Sequence, residues 1–333
     1  MATIKDVAKL AGVAVSTASC ALNGDNKVKS STRLKVLEAA KRLNYQKNGF
    51  AMDLKRSSTQ TIAVILEGFS GPYFSELLKG VQDITSANRY SLIACSSHGD
   101  ADSTAIRFLK EKRADGVIVM AYNISDELLL ESTREGFPII LLNRHLRGDF
   151  IFNVTIDDVL GAKTATDYLI QAGHKEIAFI SGPANSQASN HRYIGYKESL
   201  KANGLKEQPK WVLPGKFTRT SGYKATKTLI LQGNLPTAVF YGNDEMAVGG
   251  LKAFEESGIK VPDDISIIGF DDIELAEFTN PPLTTIRQPK YEMGTLAAHL
   301  MFQALGGGIV TQDYNLPTEL IERESCRTFG DQR

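Results

Sequence analysis

The run Thr3-Ile4-Lys5-Asp6-Val7-Ala8-Lys9-Leu10-Ala11-Gly12-Val13-Ala14-Val15-Ser16-Thr17-Ala18-Ser19-Cys20-Ala21-Leu22-Asn23-Gly24 decides how this chain is read. Ile4, Val7, Ala8 and Ala11 recur every three or four residues, which lines them along one face of a helix of about three turns. Thr3 stands at the position of an N-cap, with Asp6 three residues on. Gly12 lets the chain reverse, and Ala18, Ala21 and Leu22 supply a second apolar face. Two short helices across a tight turn make a helix-turn-helix, whose second helix enters a DNA major groove. A third helix is expected from Ser30 or Ser31 to Tyr45, burying Val36, Leu37, Ala40 and Leu43. Three such helices can close one small core.

Charge points the same way. Residues 1 to 58 hold eleven cations and four anions, a net +7, while the whole chain has 38 of each sign and nets zero. The remainder therefore carries −7. A basic head on an acidic body is the charge footprint of a DNA-binding module.

At 333 residues the chain is too long for one ordinary core and predicts two or three domains. It contains no apolar run of the roughly 18 residues that a membrane helix needs, and its first residues are polar and basic rather than those of a secretion signal. Cys20, Cys95 and Cys326 are odd in number and far apart, which predicts reduced thiols in a cytoplasmic protein, without a metal or redox pair. No G-x-x-x-x-G-K-[ST], G-x-S-x-G or H-E-x-x-H motif is present, and Gly306-Gly307-Gly308 follows a predicted helix, where phosphate loops do not sit. His174, in Ala172-Gly173-His174-Lys175, reads as a turn residue rather than a catalytic base. The expectation is a protein that is not an enzyme and holds no cofactor or metal.

The polar segment from Asn44 to Thr59, with a short possible helix at Phe50–Arg56, reads as a linker. From Thr61 the rhythm changes. Strand-like runs at Ile62–Leu66, Ser91–Cys95, Gly116–Met120 and Ile139–Leu142 alternate with helix-length segments near 73–88, 102–113 and 125–135. The rhythm repeats with strands at Ile177–Ile180, Ala238–Tyr241 and Ile265–Phe270 and helices near 158–172, 190–203, 220–232 and 244–257. Such alternation predicts an α/β chain with two doubly wound, parallel-sheet lobes. A helix at Tyr291–Leu305 and a strand near Tyr314–Leu316 return to the first lobe. Ligands of such sheets bind beyond the carboxyl ends of the strands, here Gly68–Phe74, Ser96–His98, Asn143-Arg144, Gly182–Arg192, Gly242-Asn243-Asp244 and Phe270-Asp271-Asp272.

The head run, the segment Asn48–Leu54, Arg192-Tyr193-Ile194-Gly195-Tyr196, Asn243-Asp244-Glu245-Met246-Ala247, Gly269-Phe270-Asp271-Asp272 and Pro282–Pro289 occur in the order and spacing of one family. Over essentially its full length the chain resembles the LacI/GalR family of bacterial transcription regulators. The resemblance implies a helix-turn-helix head at 1–47, a hinge helix and linker at 48–59, and a two-lobed, periplasmic-binding-protein-like effector domain. Its first lobe would comprise 60–158 with 290–320, and its second 159–289. It implies a homodimer without the C-terminal leucine-repeat helix of tetrameric members, gripping a near-palindromic double-stranded DNA operator.

The resemblance also assigns residues. Base reading falls to Val15, Ser16 and Cys20: Val15 against a thymine methyl, Ser16 on a base edge. Cys20 departs from the arginine of many members and is a weak donor, so no operator sequence transfers; its other reading is a small residue facing the head's own core. Ala14 replaces the usual serine cap. Thr3, Ser19, Asn23, Lys29 and Thr32 fall at phosphate-contacting positions, which set register and salt dependence; Thr3 and Thr32 also read as plain helix-end residues. Leu54, with Ala51 beside it, falls where a wedge enters the minor groove, and it equally suits packing on a partner subunit.

In the cleft the resemblance points to Arg192, Asp271, Asn243 and Asn143 as the polar set, with Phe217 as an aromatic platform and Tyr73 and Phe74 walling the first-lobe side. Such a set suits the vicinal hydroxyls of a sugar. The expected function is a repressor of a carbohydrate-utilisation operon. A purine or nucleoside effector, a phosphoprotein co-repressor, a solute-binding protein and an α/β enzyme are the competing readings.

Overall fold

The computed structural model describes residues 2–46, 58–69, 71–98, 103–111, 113–308 and 311–330. The hinge helix expected at Phe50–Arg56, with Ala51 and Leu54, lies outside the described residues. The chain divides into two units, Met1–Thr59 and Gln60–Arg333.

In the first unit, helix α1 (Ile4–Ala11) starts at Thr3, whose hydroxyl accepts from the Asp6 amide at 3.4 Å. The Asp6 carboxylate accepts from the Thr3 amide at 2.8 Å, which completes a capping box. Gly12 ends the helix at φ 66°, a left-handed conformation cheap only for glycine. Helix α2 (Val15–Leu22) begins after Ala14 without a side-chain cap, and α3 spans Ser30–Arg42. Their core is Val7, Ala8, Ala18, Ala21, Val36, Ala39 and Ala40. Two expectations are corrected. The helix stops at Arg42 rather than Tyr45, and Leu37 is 46% exposed. Val36, Ala39, Ala40 and Leu43 carry the true helical period, and Leu37 falls beside that stripe.

The second unit opens with β1 (Thr61–Leu66), α4 (Tyr73–Ala87), β2 (Ser91–Ser96), α5 (Thr104–Lys110), β3 (Gly116–Met120), α6 (Asp126–Ser132), β4 (Ile139–Leu142) and β5 (Ile151–Ile156). It continues with α7 (Asp158–Gln171), β6 (Ile177–Ser181), α8 (Gln187–Ala202), β7 (Val212–Pro214), α9 (Arg219–Leu231), β8 (Ala238–Tyr241), α10 (Asp244–Glu256), β9 (Ser266–Asp271), α11 (Glu274–Glu277) and β10 (Thr284–Arg287). Helix α12 (Lys290–Leu305) and strands β11 (Asp313–Leu316) and β12 (Glu319–Ile321) complete it.

Two sheets result, ordered β11-β5-β4-β3-β1-β2 and β12-β10-β9-β8-β6-β7. Every pairing is parallel except β12 with β10. The chain passes between lobes at 156–158, 287–290 and 316–319. This corrects the expected extent of the first lobe. Its return ends with β11 at Leu316, because β12 pairs in the second sheet and the following tail binds that lobe through Ser325, whose hydroxyl donates to the Ile267 carbonyl at 2.6 Å.

Ile62, Val64 and Leu66 are fully buried under α4 and α12, with Leu77, Val81, Met293 and Ala297 between. These two helices touch backbone to backbone: a Cβ on Gly80 would strike the Tyr291 carbonyl oxygen, and one on Gly294 the Leu77 carbonyl oxygen. Strand order reverses between β1 and β3 in one sheet and between β6 and β8 in the other. The loops leaving those strands diverge, and a crevice must open there in each lobe. Among the described residues no helix is long and apolar enough to cross a membrane.

Candidate functional site

The two crevices merge into one cavity of about 450 Å³, a volume in the range of small-molecule sites. Tyr73, Phe74, Asn143, Arg192, Phe217, Asn243 and Asp271 all line it. The sequence places them up to about two hundred positions apart; the carboxyl ends of β4, β8 and β9, the loop after β7 and the helices after β1 and β6 bring them together.

Arg192, 3% exposed, forms the floor. Its Nε donates to Asp158 Oδ1 at 2.8 Å, and its Nη1 to the Gly242 carbonyl at 2.6 Å and Asp271 Oδ1 at 3.4 Å. Its guanidinium carbon lies 3.8 Å from the Phe270 ring centroid and 5.6 Å from that of Phe217. Burial works against the charge, but the Asp158 and Asp271 carboxylates outweigh it and raise the pKa above the ordinary value. Nη2 has no hydrogen-bond partner among the described residues, so this donor is left for the cavity.

Asp271 ends β9 at φ 124°, and Asp272 follows at φ 52°. Asn143 and Phe217 also hold positive φ, 52° and 57°. Non-glycine residues sit there only when their surroundings force them, and such positions gather at functional sites. Here the force is visible. Lys290 Nζ, buried, donates to the carbonyls of Asp271 and Asp272, each at 2.8 Å. Burial, together with the nearby Asp244 carboxylate, raises the Asp271 carboxyl well above the ordinary range, while Arg192 opposes the shift. The Phe217 ring packs against Gly182, where any Cβ would collide with it.

A hydrogen-bonded chain crosses the cavity from lobe to lobe. Asn143 Nδ2 donates to the Tyr73 hydroxyl at 3.2 Å, Tyr73 donates to Gln288 Oε1 at 2.9 Å, and Gln288 Nε2 donates to Asp271 Oδ1 at 2.6 Å. Burial first, and Asp271 next, hold the Tyr73 phenol far above its usual pKa, so it stays a neutral donor. Asn143 Oδ1 is buried with no partner. Asn243 differs from its expected role as a donor and acceptor aimed at a ligand. Its Oδ1 caps α10 by accepting from the Met246 amide at 3.0 Å, and its Nδ2 donates to the Phe217 carbonyl at 3.3 Å. It holds the platform in place, with one N–H to spare.

Asp244 does not cap α10. Its Oδ1 accepts from Thr285 at 2.6 Å and its Oδ2 from the Ile273 amide at 3.0 Å. Asp272 likewise pairs with Arg287 and Arg323, each at 2.7 Å. Sequence reasoning missed Asp158 and Gln288 as parts of the site. Gln288 lay inside the quoted run Pro282–Pro289, but its two partners come from opposite lobes. His174 does follow the turn after α7, yet it is 2% exposed; its ring nitrogens lie 3.0 Å from Thr237 Oγ1 and 3.0 Å from the Arg327 carbonyl.

In the head, Ala18 and Ala21 take the inner face of α2. Val15 (44% exposed), Ser16, Ser19, Cys20 and Asn23 follow the helical repeat along the other side. Cys20 is half-buried and outside the head's apolar core. Lys29 is exposed before α3, Thr32 half-buried in its first turn, and Thr3 exposed but engaged in its capping box.

Residues 3–48 match the bacterial regulatory proteins of the lacI family, and residues 166–326 match the periplasmic binding protein-like domain. The chain is 37% identical over 336 residues to the HTH-type transcriptional repressor PurR of Histophilus somni (strain 129Pt), covering 99% of this chain and all of that protein. The chain belongs to the lacI family. Like other LacI-family proteins it is a DNA-binding transcriptional regulator. Two solved LacI-family relatives share its architecture. A transcriptional regulator CelR–cellobiose complex superposes with a TM-score of 0.74 at 30% identity, over 98% of this chain and all of that one. The lac repressor dimer bound to operator and the anti-inducer ONPF superposes with 0.81 at 27% identity, over 98% and 99%.

Proposed function

We propose that the chain is a homodimeric repressor of a carbohydrate-utilisation operon, controlled by a sugar bound between its two lobes. The observation that carries the effector class is the floor of the cavity. Arg192 Nη2 is a spare donor beside Asp271, whose Oδ2 accepts nothing from the described residues, and the Phe217 ring lies next to both. A donor and an acceptor side by side match two adjacent hydroxyls, and an aromatic face matches the apolar C–H face of a sugar ring. The complex of the related CelR with cellobiose supports this reading. Two heads would grip a near-palindromic operator through Val15, Ser16 and Cys20, with Thr3, Ser19, Asn23, Lys29 and Thr32 on phosphates and Ala51 and Leu54 in the minor groove. The exposed side of α2 supports the first part.

A purine effector is the second reading. The full-length identity with PurR, whose name suggests that class, favours it, and Phe74 and Phe217 would flank a flat base. Thermal unfolding of the full chain against sugars, including cellobiose, and against nucleobases separates the two. A ligand at a hundred times its dissociation constant stabilises by about 2.7 kcal/mol, a readable shift of the midpoint. A sugar is expected to give it, and Asp271→Asn to weaken that sugar about tenfold or more. A response to nucleobases alone sinks the carbohydrate reading.

A further inference from the structure

The groups lining the cavity sort by what they can still accept or donate. Tyr73 and Gln288 are bonded to each other and to Asn143 and Asp271. What remains at the buried end is one open acceptor, Asp271 Oδ2, with Arg192 Nη2 and one N–H of Asn243 as donors; Asn143 Oδ1 has no partner among the described residues but is sealed off from the cavity. A carboxylate oxygen left empty in a desolvated site is costly, so the molecule that fills this end must bring a donor to it.

Charge adds a second, independent restriction. Four carboxylates and three cations line the cavity. The buried cation, Arg192, is matched by Asp158 and Asp271, and Arg144 by Asp126. Lys216 has no carboxylate partner among the described residues, but it is exposed to solvent, which screens it. A phosphoryl group offers only acceptors and brings about −2 charge. At the buried end it would face the Asp271 carboxylate, with no uncompensated cation to receive it.

We propose that the effector is a neutral molecule that donates an O–H or N–H to Asp271, and that the cleft discriminates against its phosphorylated form. This rests on the reading of the cavity as the effector site, and it excludes sugar phosphates and nucleotides as the primary ligands.

The test is calorimetric titration of the full chain, at fixed ionic strength, with glucose, galactose, ribose and adenosine, each paired with its own monophosphate ester. At least one neutral member is expected to bind about tenfold or more tightly than its ester. In Asp271→Asn that gap should narrow, because the variant removes the repelling charge and keeps the shape. An ester that binds as tightly as its parent overturns the proposal, and so does the absence of binding by every neutral member. The two readings fail separately. Adenosine binding without any sugar would end the carbohydrate reading and leave this one standing; a sugar phosphate preferred over its sugar would do the reverse.

Discussion

Arg192 combines two roles that pull against each other. Sunk among Phe270, Asp158 and Asp271, it is a buried charge whose removal would leave carboxylates unpaired, a loss on the order of 3–5 kcal/mol in comparable cases. It also keeps one nitrogen for the cavity. Substitution of Arg192 therefore confounds folding with binding, and Asp271→Asn is the cleaner probe. His174 illustrates a buried polar residue with a purely structural duty: it fastens the tail at Arg327 to β8's approach at Thr237 and packs on Phe329, ring centroids 5.6 Å apart. Burial above all lowers its pKa from the ordinary 6.5. The folded state thus prefers the neutral ring and the unfolded chain takes up the proton first. The stability that this preference supplies is complete above about pH 6.5 and is lost as pH falls through the lower folded value. Urea midpoints at pH 7.5 and 5.5 should drop further in the wild-type chain than in His174→Gln. Equal drops would remove the assignment.

At the scale of elements, close helix pairing fixes the walls of the site. Because Gly294 in α12 meets the Leu77 carbonyl and Gly80 in α4 meets that of Tyr291, even one methyl must push these helices apart. Gly294→Ala should destabilise the second unit by about 1–3 kcal/mol in urea unfolding; an unchanged midpoint would mean that the helices have slack. Much of this layer was legible beforehand, and the reason is periodicity. Long amphipathic segments such as α1 and α4 and apolar runs such as β1 and β3 declare themselves, and the rule that ligands sit beyond strand carboxyl ends led to six of the seven cavity residues; Phe217 came from the family resemblance. What escaped lacked that signal. In β5, Asn153 and Thr155 interrupt the apolar run; β7 and β12 are three residues each. Leu37 looked like core because its neighbours are. The bonds from Asp158 to Arg192 and from Gln288 to Tyr73 depend on segments that only the finished fold brings together, 34 and 215 positions apart.

For the whole molecule, the relay from Asn143 through Tyr73 and Gln288 to Asp271 ties the two lobes together across the cavity. Its members come from both lobes and from a crossover, so a molecule that engages Asp271 changes the balance between lobe arrangements only by binding them unequally. The basic head supplies a separate, salt-dependent grip on DNA. The measurement that reaches the central claim is the affinity of the full chain for a duplex selected from a random library, taken at one salt concentration with and without the ligand found by titration. The account predicts a coupling of about 1–3 kcal/mol, roughly 5–150-fold in operator affinity. Asp271→Asn should abolish that coupling while ligand-free DNA binding stays intact. A ligand that fills the cleft and leaves operator affinity unchanged would contradict it.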